Sequence, residues 1–545
     1  RGRVYNEDSA RGFDLTFCAP KSVSLLRAMD ADGVAAKAVL DAHTAAIAEA
    51  MEYLRDHAGY TRVHNASTGQ KDLQRLPGLV AAAFQHETSR AGDPHLHTHV
   101  ILPNRQARAD GRLASYDSRS LHNEAKAAGL IYQSTLRTQL TASLGLHWAA
   151  IDPHSGQADI AGISRKTIQS WSQRSTQLRE WAAENLAVVE AENGATVAQL
   201  AAAQRATRPA KPEHLAWGQL REMWAADPRG FGIDETAQRA ARQAQIEAGR
   251  TVWDAANEAA TEIDKGAFTR ADLVEAIAAR MPVVIEGAPA GVTPRTIVET
   301  LAERIAVPLT APRAAHERER CEKFTTIEII AEERDIYALI GARNDAAKLP
   351  TTGITEAAGL SEDQVRSMRQ IAASAQLVQT LSAPAGAGKT TSLKVLREAA
   401  HRGGIERVLV VAPTGKAADV ALAEGAADGG GTVAAALKRL RDGKLALDSR
   451  TLLVIDEAGM VGTGALGELL AAATSAGAKT VLVGDAEQLA PVKARGGMFA
   501  RLCADLPWAQ ELDRVWRMHD PAERAASLAL RSGTGAQLDE AVGWY

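Results

Sequence analysis

Cysteine is scarce. Cys18, Cys321 and Cys503 are the only three in 545 residues, far apart and odd in number. That excludes a disulfide framework and a cysteine-built zinc finger, and it fits a reduced, cytosolic setting. No apolar run approaches the roughly 20 residues a bilayer demands, and no secretory leader is legible, so no membrane insertion is expected. An excess of positive charge is also missing: 62 Lys and Arg stand against 66 Asp and Glu, for a net charge of −4. A globally basic nucleic-acid binder is thereby unsupported, and any DNA-binding surface has to be a local groove. What remains is an ordinary globular composition, 46% apolar and 23% charged. At roughly 100–200 residues per domain the length predicts about three to five domains.

Residues 12–17 are β-branched and aromatic and read as a strand. From Ser22 to about Arg55 the apolar spacing is helical. Two short apolar runs, 79–84 and 95–102, flank Ser89-Arg90-Ala91-Gly92-Asp93-Pro94. The Gly, Asp and Pro there signal a turn, which predicts a β-hairpin. A second turn falls at Asp110-Gly111, and residues near 120–150 return to helix. Residues 165–265 are rich in Ala, Glu, Gln and Arg and read as helices, with 205–212 as a linker. Residues 268–346 read as small helices with short strands, and Pro350-Thr351-Thr352-Gly353 marks a boundary. Beyond about 354, apolar strands at 377–382, 408–412, 452–455 and 480–483 alternate with helical text, which implies a parallel, doubly wound sheet.

The first of those strands runs into Ala383-Pro384-Ala385-Gly386-Ala387-Gly388-Lys389-Thr390-Thr391, close to the phosphate-binding loop pattern. Backbone N–H groups of Ala385, Gly386, Ala387 and Gly388 would cradle phosphate oxygens, and the following helix start adds a positive dipole. Lys389 would neutralise the β- and γ-phosphates, Thr390 would hold Mg²⁺, and Thr391 completes the cradle. The first glycine of the pattern is Ala383 here. The apolar strand ending in Asp456-Glu457 places Asp456 beside the metal and Glu457 where it activates water. In Val483-Gly484-Asp485-Ala486-Glu487-Gln488, Gln488 sits where a γ-phosphate sensor belongs. ATP with Mg²⁺ is the expected ligand.

Residues from about 354 onward resemble the first motor domain of superfamily 1 helicases, especially the RecD-like branch. Leu360-Ser361-Glu362-Asp363-Gln364 looks like the adenine-reading motif, with Gln364 as reader. Ala412-Pro413-Thr414-Gly415-Lys416 and Gly431-Thr432-Val433 look like the elements that grip single-stranded DNA, through Thr414, Lys416 and Thr432. Val515-Trp516-Arg517 looks like the arginine-finger motif; Arg517 would stabilise transition-state charge, with Arg514 as a competitor.

A second constellation lies on the predicted hairpin. Alternation puts His95, His97 and His99 on one face. Symmetry about Ala91-Gly92 sets His86 opposite His97. His86, His97 and His99 would then converge on one divalent metal, with positions left for a substrate oxygen and His95 at the rim. Imidazole favours Zn, Mn, Co or Ni on softness alone.

The text from His86-Glu87-Thr88-Ser89-Arg90 through His95-Leu96-His97-Thr98-His99, with Asn104, resembles the metal site of conjugative relaxases of the TrwC/TraI (MobF) class. Phe13-Asp14-Leu15-Thr16-Phe17 resembles the preceding strand of that family, in which an aspartate at the position of Asp14 orients a metal-binding histidine. The resemblance implies an HUH-type α+β relaxase domain with an antiparallel sheet over 1–240. A helical connector follows over 241–352, then a RecA-like α/β motor domain over 353–545. It implies Mg or Mn, with Zn as an alternative, at the histidines. It further implies site- and strand-specific nicking of DNA at a plasmid transfer origin through a phosphotyrosine, and ATP-driven 5′→3′ unwinding. Single- and double-stranded DNA, conjugation accessory proteins and secretion-coupling proteins are the implied partners, and the bacterial cytoplasm is the implied location.

Two departures stand out. The family nucleophiles lie well before the strand carrying Asp14, but only thirteen residues precede Asp14 here, with Tyr5 the only tyrosine among them. Tyr5 is not assigned, and the nucleophile is expected upstream of Arg1. Fewer than thirty residues follow Arg517, too few for a second motor domain of on the order of 100 residues. A fragment incomplete for nicking and unwinding is therefore expected. The competing readings are a RecD-like ATPase with a non-catalytic DNA-binding N-terminal module, and a zinc hydrolase fused to an ATPase.

Overall fold

Alternating burial builds the first sheet. A computed structural model describes residues 10–30, 32–186, 197–207, 215–283, 291–488, 491, 494–512, 514, 520–532 and 534–544. Three antiparallel strands, β1 (Gly12–Cys18), β2 (Ala82–Thr88) and β3 (Pro94–Pro103), lie in the order β1-β3-β2. Along β3, Leu96, Thr98, Val100 and Leu102 are buried, while the residues between them reach the other face. Helices α1 (Val34–Ala58) and α2 (Ser118–Leu144) cover the buried side. There the Tyr132 ring lies 5.4 Å from Phe17, and His43 Nε2 lies 2.8 Å from Thr98 Oγ1. Each fully buried Leu or Val of this layer contributes about 1.5–3 kcal/mol, and the packing leaves only the opposite face for chemistry.

The helical spacing read from Ser22 to about Arg55 forms two helices, Lys21–Met29 and Val34–Ala58. Gly33 at φ +78° breaks them, and the Asp30 carboxylate accepts the Ala36 N–H. An antiparallel ribbon, Tyr60–His64 with Lys71–Arg75, escaped the sequence reading because neither strand alternates cleanly.

The chain separates into two compact units: Arg1–Glu262 with Ala267–Thr326, and Ile263–Gly266 with Ile327–Tyr545. In the first unit, helices Arg270–Arg280 and Pro294–Ile305 pack on α2. Arg295 binds them to α1 through Glu49 and Glu52, at 2.9 and 2.8 Å.

The second unit is a six-stranded parallel sheet. In spatial order its strands are Gly429–Thr432, Arg407–Ala412, Thr451–Ile455, Lys479–Gly484, Val378–Ser382 and Gln510–Glu511. Both faces are covered by helices, so the central strands are buried along their whole length without alternation. Among the described residues no helix is long and apolar enough to cross a membrane.

Candidate metal centre and nucleotide site

The hairpin register sets His86 opposite His97, Phe84 opposite His99, and Thr16 on β1 opposite His99. A bulge between His86 and Thr88 bends β2 at its end. The ring centroids of His86, His97 and His99 are 5.1, 5.2 and 5.3 Å apart. One nitrogen from each lies within 4.8 Å of the others, which suits three donors around a single cation. His86 is exposed and the other two are half-buried, so an incoming ligand has access.

Two contacts fix which nitrogens face inward. His99 Nδ1–H donates to both Asp14 oxygens at 2.9 Å, with Thr16 Oγ1 3.1 Å away. His97 Nδ1–H donates to the His95 carbonyl at 2.9 Å. In both rings Nε2 is left with its lone pair for a metal. Burial, aided by the neighbouring imidazoles, lowers the His97 pKa, which keeps that ring neutral and ligating at lower pH than a free imidazole. His95 shares the parity but stands outside the trio. Its ring lies 4.7 Å from that of His97, and burial drives its pKa down to about 3.

The sequence reading missed the clamps behind this face. Arg27 makes a two-pronged ion pair to Glu87 at 2.8 and 3.0 Å, which anchors β2 just past His86. Lys21 Nζ donates to the Pro94 carbonyl at 2.7 Å and pins the start of β3; burial lowers its pKa to about 8. Both partners are distant in sequence, so only the fold reveals them. The described tyrosines of this unit are engaged elsewhere. Tyr53 donates to Glu124, Tyr60 to Glu319, Tyr132 bonds His43, and Tyr116 is buried beside Phe13. Tyr5 lies outside the described residues.

Asp14→Asn is expected to lower metal affinity about 10- to 100-fold, since the carboxylate sets the His99 tautomer and raises its basicity. Isothermal titration with Mn²⁺ checks this; unchanged affinity would remove Asp14 from the centre.

In the second unit the strand Val378–Ser382 feeds the loop 383–388 and the helix Lys389–Arg402. Ala383 replaces a glycine at no cost because its backbone continues the sheet: its N–H donates to the Gly484 carbonyl at 2.7 Å. Gly388 is different. It sits at φ +79°, and a Cβ there would lie 2.4 Å from Gln364 Nε2. Gln364 is buried, with Nε2 donating to the Ala387 carbonyl and Oε1 accepting from the Ser361 N–H, both at 2.9 Å. The adenine-reading motif and the phosphate loop are thus in direct contact.

Lys389 Nζ lies 3.2 Å from Glu457 Oε1. Glu457 has φ +49° and is the one non-glycine residue with positive φ among those described. Such strain persists where the surroundings impose it, and it gathers at functional sites. Burial raises the Asp456 pKa; one carboxylate oxygen accepts the Glu457 N–H. Thr390 is half-buried and Thr391 exposed at the helix start. Gln488 is exposed just past Lys479–Gly484, in the loop where Asp485 accepts from Arg531 Nε at 3.0 Å. That arginine carried no motif and was not foreseen. Thr414 and Thr432 each cap a helix, accepting the N–H of Ala417 and Ala435; Lys416 is exposed on the first of those helices. Arg517 lies outside the described residues.

Comparison with known proteins follows the same division. Residues 1–230 match the TrwC relaxase family and residues 359–545 an AAA domain family. A probable conjugal transfer protein TraA from Sinorhizobium fredii is 34% identical over 220 residues, 39% of this chain and 19% of that protein. The multifunctional conjugation protein TraI from Escherichia coli is 36% identical over 177 residues, 31% of this chain and 9% of that protein. The matched stretches thus span under a fifth of these relatives. A metal-bound structure of the conjugative relaxase TrwC with oriT DNA is 30% identical. The match covers 41% of this chain and 73% of that one, with a TM-score of 0.35.

Proposed function

Residues 1–230 are a TrwC relaxase domain and residues 359–545 an AAA domain, and from that pairing we propose a conjugative relaxase–helicase. In this reading the protein cuts one DNA strand at a transfer origin and couples ATP hydrolysis to 5′→3′ unwinding, in the bacterial cytoplasm. The observation that carries it is the convergence of His86, His97 and His99, with Asp14 on the outer nitrogen of His99.

The donor set fits a divalent ion: three imidazoles, two with tautomers fixed by neighbours, on an open face. Mg or Mn is the proposal by family likeness and Zn by ligand softness. When bound, such an ion polarises a phosphodiester and offsets the charge that develops on it. The protein's own part is to hold three imidazole rings on the hairpin and to keep a polar face open for a strand. In the proposed transesterification a tyrosine oxygen bonds to phosphorus and the bond to the 3′ oxygen breaks. That leaves a 3′-hydroxyl and a 5′-phosphotyrosine, and the bond energy is kept for rejoining. The tyrosine is not assigned to a described residue. In the second unit, the loop 383–388 would cradle the ATP phosphates, Lys389 would take their charge and Asp456 would hold Mg²⁺. Glu457 would orient water, and Gln488 would sense the γ-phosphate. Thr414, Lys416 and Thr432 would meet the strand. Accessory and secretion-coupling proteins are proposed partners.

The test is binding of a labelled single strand spanning a cognate transfer origin, with Mn²⁺ and then with EDTA. Sequence-selective binding that Mn²⁺ strengthens supports the reading. Binding that ignores both sequence and metal, with intact folding, refutes it in favour of a motor with a passive DNA module.

A further inference from the structure

With a net charge of −4, the chain must concentrate positive charge locally to hold DNA. Such a concentration occurs on the first unit, where the stretch 313–321 comes against the start of α2. A cleft of about 490 Å³ is lined there by Arg119 and Asn123 of α2 and by His316, Glu317, Arg318 and Arg320. Residues 313–321 fall between the two family matches, which end at 230 and resume at 359.

The acids of this stretch have partners of their own, Glu317 from the cleft wall itself. Glu317 Oε2 accepts the Ala314 N–H at 2.9 Å. Glu319 accepts from Tyr60 at 2.8 Å and pairs with His57 at 3.4 Å. Glu322 pairs with Arg313 at 3.5 Å. Asp117, the N-cap of α2, takes Arg318 through both oxygens at 2.7 and 2.8 Å, which fixes one wall of the cleft to α2. Two exposed guanidinium groups are then left facing it, Arg119 and Arg320. Arg320 only reaches Asn123 Oδ1 at 3.4 Å, and neither arginine has a carboxylate partner among the described residues. Acids already engaged by other groups, with two arginines at an open cleft lacking carboxylate partners, leave guanidinium donors for phosphate oxygens.

We infer that this cleft binds the phosphodiester backbone of single-stranded DNA through Arg119 and Arg320, as a contact outside the metal face. The connector segment thereby completes the strand-binding surface of the relaxase unit. The inference rests on the DNA-binding reading above, and its contacts are to phosphate, so it adds affinity without base preference.

The experiment uses the full chain and a fluorescein-labelled 20-nucleotide oligothymidine, read by anisotropy from 50 to 300 mM salt. Arg119→Ala/Arg320→Ala should weaken binding about tenfold at low salt. It should also reduce the slope of log affinity against log salt by about 1.4, at about 0.7 per single-strand phosphate. Arg119→Lys/Arg320→Lys should restore most of both. Hydrogen exchange of residues 313–321 should slow when oligothymidine binds to the wild type. A wild type that binds neither oligothymidine nor transfer-origin DNA sinks the functional reading itself. A wild type that binds, with the double alanine variant matching it in affinity and salt slope, overturns this inference alone. So does an absence of protection at 313–321. If the variant loses binding of inorganic tripolyphosphate but not of DNA, the cleft is a small-anion site and the inference is likewise overturned.

Discussion

Lys389→Ala should cut ATP turnover by at least about 10²–10³-fold, the scale of losing one preorganised charge-stabilising group. Metal binding at the histidine trio should not change. The reason is positional. The strand Val378–Ser382 ends in a loop that holds Gly386 and Gly388 at positive φ, and Lys389 opens the helix that follows. Its ammonium now sits 3.2 Å from Glu457; phosphate oxygens would compete for it as stronger, multiply charged partners. An alanine leaves those oxygens and Glu457 facing each other without a cation. Steady-state phosphate release in the presence of single-stranded DNA checks the rate, and calorimetry with Mn²⁺ checks the other unit. Turnover within a few-fold of wild type would mean that the loop does not carry the chemistry.

His86→Ala should lower metal affinity by more than the 10- to 100-fold typical of losing a group that merely orients a ligand. Its ring supplies one of three donors, and two imidazoles on β3 cannot enclose a cation alone. The domain should stay folded, because His86 is exposed on an edge strand that Arg27 and Glu87 hold independently. Titration with Mn²⁺ and a parallel thermal melt separate the two effects. Lost affinity with an unchanged melting temperature is the expected pair. Unchanged affinity removes His86 from the site.

Much of this was legible because the signals were periodic. Alternation alone put His97 and His99 on one side of a strand, and a turn centred on Ala91-Gly92 carried His86 across to them; the register agrees. Uninterrupted apolar runs marked the buried parallel strands, and the carboxyl ends of Val378–Ser382 and Thr451–Ile455 bring Lys389 to Glu457. What escaped has equally physical reasons. The ribbon Tyr60–His64 with Lys71–Arg75 buries only its Tyr60-Thr61 end and is otherwise half-buried to exposed, so no period-2 hydrophobic pattern betrays it. The break at Gly33 lies in text whose alanines suit a helix on either side. Arg27–Glu87, Lys21–Pro94 and Arg531–Asp485 join residues about 46 to 73 positions apart, and long-range pairs of this kind leave no local spacing to read. Thr414 and Thr432 show the reverse: motif residues whose hydroxyls are also helix caps, so their substitution would disturb local helix starts as well as any strand contact.

The most direct measurement is X-ray absorption at the metal edge of protein loaded with one equivalent of Zn²⁺ or Mn²⁺, on wild type and His86→Ala. With zinc, three imidazole nitrogens at about 2.0–2.1 Å are expected in the wild type. One fewer is expected in the variant. A shell of oxygens only, or an imidazole count that the substitution leaves untouched, would place the cation elsewhere and contradict the account.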